Sequence, residues 1–167
     1  LNGDVTNANS VKVEAIGNNN ADANSLAVAI AGLGAGAAGD AYAEVTADAD
    51  VEALVGSEAT LTEPGAPVDV LATGDNNAIA QANGGSVSLT ISLAKMLPTA
   101  KVGGGVKAEF DCQMTGASAS LLNVKGLGEN TATATVRVAS VSVGAGVNGA
   151  RAVAEVTDQA DVTAGVG

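Results

Sequence analysis

Hydrophobic and polar residues alternate with a period of two along much of the chain. From Ala41 to Val55, eight alanine and valine positions lie on one face, and acids occupy most of the other. This period is typical of a strand with one buried face, whereas a helix would scatter the acids around its circumference. The same alternation runs through SLAVAIA, SVSLTIS and TATATVRV. The pattern therefore predicts an all-β chain whose turns fall at Gly, Asn and Asp.

Three segments of the chain begin alike: IGNNNADA at 16–23, TGDNNAIA at 73–80 and LGENTATA at 127–134. Their glycines are 57 and then 54 residues apart (Gly17, Gly74 and Gly128). An apolar residue lies six positions before each glycine (Val11, Val68 and Leu122). Similarity at a near-constant spacing indicates about three tandem structural units.

A second similarity follows in each unit: AEV at 43–45, AEF at 108–110 and AEV at 154–156. A glycine-rich stretch precedes each of them: GLGAGAAG, VGGG and VGAGVNG. We predict a first unit at 11–67, a second at 68–121 and a truncated third at 122–167, with 1–10 ending a preceding repeat or connection. Pro98 interrupts the second unit, so a loop insertion is expected near 95–105.

Stacked repeats with small interior residues favour an elongated β-solenoid, similar to a parallel β-helix, in which each coil pairs with the next. Asparagines at matching positions would form side-chain ladders along such a stack (Asn18 to Asn20, Asn76, Asn77 and Asn130). Three β-sandwich-like units are the alternative. Periodicity does not distinguish parallel from antiparallel pairing.

Composition restricts both the core and the chemistry. Hydrophobic residues make up 47% of the chain, but there is one Phe, one Tyr and no Trp, so the core must be thin. The formal charge of -11 disfavours nucleic-acid binding. The absence of His removes the commonest general base and metal ligand. The longest apolar run, 26–39, is shorter than a membrane span requires, and we expect no membrane insertion.

One motif suggests a nucleotide: G-x-G-x-x-G at Gly34, Gly36 and Gly39. A dinucleotide site needs a helix directly after this turn, and the following residues alternate as a strand. The spelling recurs in the third unit (Gly144, Gly146 and Gly149). A structural turn repeated in each unit is therefore the favoured interpretation.

The acids Asp48, Asp50 and Glu52 suggest calcium, but they lack the spacing of known calcium loops, and the aligned third unit offers only Gln159 and Asp161. A solvated face is favoured over a metal site. Paired carboxylates also serve glycoside hydrolysis. Here the acids alternate along strands, and no pair is singled out.

Two other features are interpreted as structural. Cys112 aligns with Ala47 on the inward face, and a small buried thiol filling the core is expected there. Three threonines form a short row of the kind found on ice-binding solenoids (Thr131, Thr133 and Thr135). The other units do not repeat that row, since they offer Asp22 and Ile79 or Gln81 instead.

The repeated starts, the small-residue strands and the A-E-[VF] segments with their trailing acids resemble the repeat regions of large bacterial filamentous adhesins, including leukotoxin-like filamentous adhesins. The resemblance implies an extracellular or cell-surface stalk or fibre without catalytic residues. We expect no enzyme activity, no catalytic, cofactor-binding or metal-binding residues, and at most weak calcium association. Expected partners are copies or neighbouring repeats of the chain and a host or neighbouring-cell surface. Alternatives are a calcium- or receptor-binding module and a fragment of a polysaccharide-active β-helix enzyme.

Overall fold

The computed structural model describes residues 1–64, 67–116 and 121–167, and the remaining residues of the predicted units lie outside this description. The described chain is all-β, and no helix occurs in it. Its strands are β1 (Asp4–Thr6), β2 (Val11–Ala31), β3 (Gly34–Val45), β4 (Val51–Val55), β5 (Thr60–Thr62), β6 (Val68–Ser88), β7 (Ile91–Val102), β8 (Val106–Phe110), β9 (Gln113–Thr115), β10 (Leu122–Ser142), β11 (Ala145–Ala150), β12 (Val153–Val156) and β13 (Val162–Val166).

Every described strand pairing is parallel. Four sheets result, in the orders β1-β5-β9, β2-β6-β10, β4-β8-β13, and β3 beside β7 with β11 and β12 on the other side of β7. The chain visits the sheets in turn and then returns to the first, and we call each such pass a coil: β2–β5, β6–β9 and β10–β13. These parallel sheets are consistent with a β-helix or solenoid-like fold.

The long strands confirm the glycine alignment made from the sequence. Gly74 of β6 pairs with Gly17 on one side and with Gly128 on the other. The apolar positions upstream also lie in register, since Val68 pairs with Val11 and Leu122. The spacings of 57 and 54 residues are therefore the lengths of chain between stacked positions.

The second predicted alignment is wrong for the middle coil. Ala43–Val45 pairs with Ala100–Val102, which in turn pairs with Ala154–Val156. Ala108–Phe110 lies one strand further on, in β8, where Phe110 pairs with Val55. A three-residue segment such as A-E-V or A-E-F recurs by chance in a chain rich in alternating alanine and polar residues, so the shared sequence did not identify equivalent strands.

The predicted loop at 95–105 is also wrong over most of its length, because β7 continues to Val102 and only residues 103–105 lie between strands. Pro98 is fully buried inside β7, opposite Ala41. Its missing N–H affects the pairing with the next coil. The Arg151 amide donates to the Met96 carbonyl, and the reciprocal bond of a parallel ladder would need an N–H at residue 98, which proline lacks. The strand of the third coil is interrupted at that point, between β11 and β12.

The interior divides into two clusters of buried side chains. In the first, which we call the alanine half, the long sheet of β2, β6 and β10 faces the sheet containing β3 and β7; its members are Ala37, Ala41, Ala43, Val45, Ala78, Ala80, Ala82, Met96, Ala100 and Val102. The second, the valine half, consists of Val11, Val51, Ala53, Val55, Ala59, Leu61, Val68, Val70, Ala72, Val106, Ala108 and Phe110. The predicted small-residue interior is present, but larger side chains fill one half of it.

The stack itself is short. With three strands per sheet at about 4.8 Å spacing, the first and third strands lie about 10 Å apart. The 21 residues of β6 extend about 70 Å at about 3.3 Å per residue. The elongation that we expected along the stack is therefore absent from this length of chain, whose longest direction follows the strands.

Candidate functional site

A column of glycine and asparagine crosses the centre of the long sheet, between the alanine half and the valine half. We call it the glycine–asparagine seam, and its residues are Gly17, Asn19, Gly74, Asn76, Gly128 and Asn130. In each strand one residue lies between the glycine and the asparagine, so both positions are on the inner face. Asn76 is fully buried there.

The asparagines of the seam form a continuous ladder through the three coils. Asn19 donates from Nδ2 to Asn76 Oδ1 at 2.8 Å, and Asn76 donates to Asn130 Oδ1 at 2.9 Å. Each amide also donates to a backbone carbonyl at the corner after the facing strand (Ala49 at 3.0 Å, Gly104 at 2.7 Å and Ala160 at 2.8 Å). The ladder therefore pairs three corner carbonyls, of which that of Gly104 is buried, and joins neighbouring coils.

The glycines of the seam make room for the valines that begin the next short strands. A Cβ added at Gly74 would overlap Cγ2 of Val106. The same relation holds between Gly17 and Val51 and between Gly128 and Val162. Glycine brings the valine close, and the asparagine two residues later holds the preceding corner, so the repeated G-x-N spelling has a packing cause.

The ladder predicted from matching asparagines is thus confirmed on the inner face. A separate pair lies on the outer face, where Asn77 donates to Asn20 Oδ1 at 3.2 Å. Asn18 lies on the outer face and pairs in register with Asp75, so the prediction of a ladder through all three consecutive asparagines is too broad. Sequence reasoning missed the partner carbonyls, since residues 49, 104 and 160 carry no shared side-chain signal.

The G-x-G-x-x-G segment follows a bend at 32–33 and lies inside β3, which continues as a strand to Val45. Gly39 has a packing role, because a Cβ there would come within 2.9 Å of Met96 Sδ. The predicted repetition of the glycine stretch as one turn holds for the first and third units, whose copies begin at the same corner, at 32–33 and 143–144, and is wrong for VGGG. Gly34 and Ala145 both pair with Ile91, so the two copies of the motif are one residue out of register. The VGGG stretch lies at a different corner.

The outer face of this sheet carries a shallow apolar groove of about 570 Å³, whose lining includes Gly36, Leu93, Val147, Lys95 and Arg151. The groove is a surface depression over strands. No helix N-terminus borders it in the described chain, so the phosphate-binding geometry of a dinucleotide fold is not formed there.

The predicted acidic positions lie near one corner but do not converge. Asp50 Oδ1 accepts a hydrogen bond from the Gly105 amide at 2.6 Å, which ties it to the backbone of the next coil. Glu52, Gln159 and Asp161 line a small groove beside it, while Asp48 lies in the exposed turn. Within residues 1–64, 67–116 and 121–167, no three His, Cys, Asp or Glu side chains are grouped as metal ligands would be.

Cys112 follows β8 and packs against the valine half. Partial burial raises the pKa of its thiol, and the neighbouring charge of Asp111 raises it further. Its predicted alignment with Ala47 is wrong, since Ala47 lies beside the preceding corner, where a Cβ added at Gly103 would come within 3.1 Å of the Ala47 nitrogen. The error follows from the misplaced A-E-F segment. The threonines 131, 133 and 135 lie in β10 and pair with Asn77, Ile79 and Gln81, so no threonine face is repeated across the coils.

The described residues form an all-β protein of parallel sheets in which an asparagine ladder joins neighbouring coils. Among known proteins, no family model matches the chain, and no curated protein or solved structure is significantly similar to it. None of the described residues forms a helix long and apolar enough to cross a membrane.

Proposed function

We propose that the chain is a structural β-solenoid segment of a bacterial cell-surface or extracellular adhesin fibre and that it works by stiffness and stacking rather than by catalysis. The observation that carries the proposal is the seam. A fully buried asparagine uses its side chain to join three successive coils, and buried polar groups of this kind specify register.

Two further features support a structural role. The strands of each coil lie in register with those of the next over 21 residues in the long sheet. The inner faces of these strands are occupied by packing contacts in both halves of the core. A surface location and the adhesin class rest on the resemblance of the repeats to filamentous adhesins.

Titration calorimetry with calcium tests this proposal against a calcium-binding module. We expect no saturable heat, because the acids are solvated or, like Asp50, already engaged by the backbone. A saturable, stoichiometric heat that disappears in an Asp50→Asn variant would contradict a purely structural role. Antibody labelling of intact and permeabilised cells of the producing organism tests the location. Labelling that appears only after permeabilisation would contradict a surface location.

A further inference from the structure

Where β6 bends into β7, the middle coil turns large apolar side chains outward and serines inward. Four aliphatic side chains of this stretch face outward (Val87 45%, Leu89 65%, Ile91 53% and Leu93 49% exposed). Three serines occupy inward positions and are buried (Ser86, Ser88 and Ser92). Val87, Ile91 and Leu93 each pair with a neighbouring strand on both sides. Their exposure is therefore that of an outer face, and it belongs to the middle of the stack.

Hydrogen bonds of the inward serines fix this arrangement. Ser88 Oγ donates to the Ile91 carbonyl at 2.6 Å, across the bend. Ser92 Oγ donates to the Val141 carbonyl of the third coil at 2.8 Å. A shift of the strands by one residue would exchange the two faces and lose both bonds. The outward position of the large apolar side chains is thus specified by the fold.

The neighbouring coils carry apolar side chains at the same level. Val87 pairs with Ile30 on one side and with Val141 on the other, and Leu93 pairs with Val147. Leu33 and Val143 lie at the corresponding bends. We call the resulting surface the apolar corner, and its residues are Ile30, Leu33, Val87, Leu89, Ile91, Leu93, Val141, Val143 and Val147.

Charge is excluded from the apolar corner. The stretches of sequence that form it, 23–39, 76–94 and 138–150, contain no Asp, Glu, Lys or Arg. The outer face of the long sheet carries charges at its other end, beside the valine half (Glu14, Asp69 and Lys125). Two copies of a chain with a net charge of -11 therefore repel each other least where their apolar corners meet.

The area of the apolar corner suits a protein partner. Monomeric proteins rarely expose contiguous apolar patches larger than a few hundred Å². The side chains at the bends and on the adjoining face of β7 and β11 together expose roughly 700 Å², close to the area of about 800 Å² that each partner buries in a stable interface. They are Leu33, Leu89, Ile91, Leu93, Val143 and Val147.

The shape of the surface favours a second copy of the same chain. The bend residues Leu33, Leu89 and Val143 form a strongly exposed apolar ridge. Beside it lies the groove of about 570 Å³ whose lining includes Gly36 and Val147, which is large enough for several aliphatic side chains. A two-fold interface requires a surface that is complementary to itself, and one surface here carries both a ridge and a groove.

The composition of the apolar corner is less suited to a lipid surface. Proteins that bind at a membrane interface place Trp or Tyr at the level of the headgroups and cationic residues towards anionic lipid. Neither aromatic residue of the chain, Tyr42 or Phe110, belongs to the apolar corner, and the net charge of -11 repels anionic lipid.

We propose that a second copy of this chain packs side by side against the apolar corner in a two-fold arrangement, with the bend residues of each copy in the groove of the other. The interface buries the outward aliphatic side chains of both copies and keeps their acidic surfaces apart. The inference rests on the proposed structural function and names a lateral partner for it, because such pairing joins two structural segments along their sides.

Sedimentation velocity of the 167-residue protein over increasing concentration, at physiological ionic strength to screen its net charge, tests the proposal. We expect a reversible dimer. Leu89→Ser removes an apolar side chain twice per dimer and should weaken association about a hundredfold. The matched control is Leu127→Ser, the same change at an exposed position about 45 Å from Val141 along β10, which should leave association near the wild-type value.

A second variant, Gly36→Leu, tests whether the ridge enters the groove. A Cβ at Gly36 meets no atom within 4 Å, so the fold accommodates the change while the new side chain fills the groove. We expect association to weaken about tenfold, because the bend residues of the partner are displaced. Association without a groove would instead tighten, since the variant adds apolar surface. Circular dichroism verifies that each variant is folded.

Flotation with phosphatidylcholine vesicles tests a lipid surface as the alternative occupant, and we expect the protein to stay unbound. A protein that is monomeric at every concentration, with or without vesicle binding, would overturn the pairing. Dimers equally insensitive to Leu89→Ser and Leu127→Ser, or strengthened by Gly36→Leu, would also overturn it. These outcomes leave the calcium and labelling tests untouched, and those tests judge the structural function separately.

Discussion

The alanine half and the valine half of the interior differ in the size of the side chains that fill them. In the alanine half, two sheets face each other across alanines, and its one long side chain, Met96, lies against Gly39 and Gly84. In the valine half, valines, Leu61 and Phe110 provide most of the buried side chains. Close packing makes the first half sensitive to enlargement and the second sensitive to truncation.

The largest effect is expected from Phe110→Ala in the valine half. Phe110 is 2% exposed, and truncating a buried phenylalanine costs about 4 kcal/mol in lost burial and cavity formation. Urea unfolding followed by circular dichroism measures the loss. Tyr42→Ala is the control, because Tyr42 is 54% exposed and should change stability by less than about 0.5 kcal/mol. Equal losses in the two variants would contradict the division into buried and exposed aromatics.

The boundary between the halves is tested by Asn76→Ala. The change removes three hydrogen bonds, including the one to the buried Gly104 carbonyl, and takes away the amide that donates to Asn130 Oδ1, so we expect a loss of about 3 kcal/mol. Asn77→Ala, one residue away on the outer face, removes one exposed bond and should cost less than about 0.5 kcal/mol. Similar unfolding midpoints for the two variants would show that the ladder does not hold the coils together.

Enlargement tests the alanine half directly. Ala80 is fully buried, with Ala23 and Ala134 as its neighbours in the long sheet, so Ala80→Leu should force the facing sheets apart at a cost of about 2 kcal/mol. Val70→Leu adds one methylene at an equally buried position of the valine half and should cost about 1 kcal/mol, at the lower end for added core volume. If Val70→Leu proves the more damaging in urea unfolding, the two halves do not differ in tolerance as we describe.

Local alternation and one repeated polar motif made part of this arrangement predictable. Period two indicates strands, and G-x-N recurs because the interior needs both a glycine and a buried amide at that level. The corners were harder to locate, since alternation of buried and exposed residues continues from Val45 to Val51 although the strand ends between them. For the same reason A-E-F was assigned to the wrong strand. Pro98 led to the wrong prediction of a loop because the hydrogen bond that proline cannot make is lost in the neighbouring coil, which sequence spacing does not reveal.

Chemical accessibility at the margin of the valine half provides the smallest expected effect. Burial, and then the charge of Asp111, raises the pKa of the Cys112 thiol in the folded protein. At a pH near the ordinary thiol pKa, the folded chain therefore holds less thiolate than the unfolded chain, and iodoacetamide should react more slowly with it. The associated contribution to stability is present below the unfolded pKa and is lost as the pH rises through the folded value.

Alkylation rates measured with and without urea across this pH range test the difference at Cys112. Asp111→Asn should increase the folded-state rate only in part, because burial is the larger cause of the raised pKa. Equal rates in the folded and unfolded chains would mean that Cys112 is fully solvated and does not pack against the valine half. A slower folded rate that Asp111→Asn restores completely would assign the shift to charge alone and would likewise place the thiol outside the packed interior.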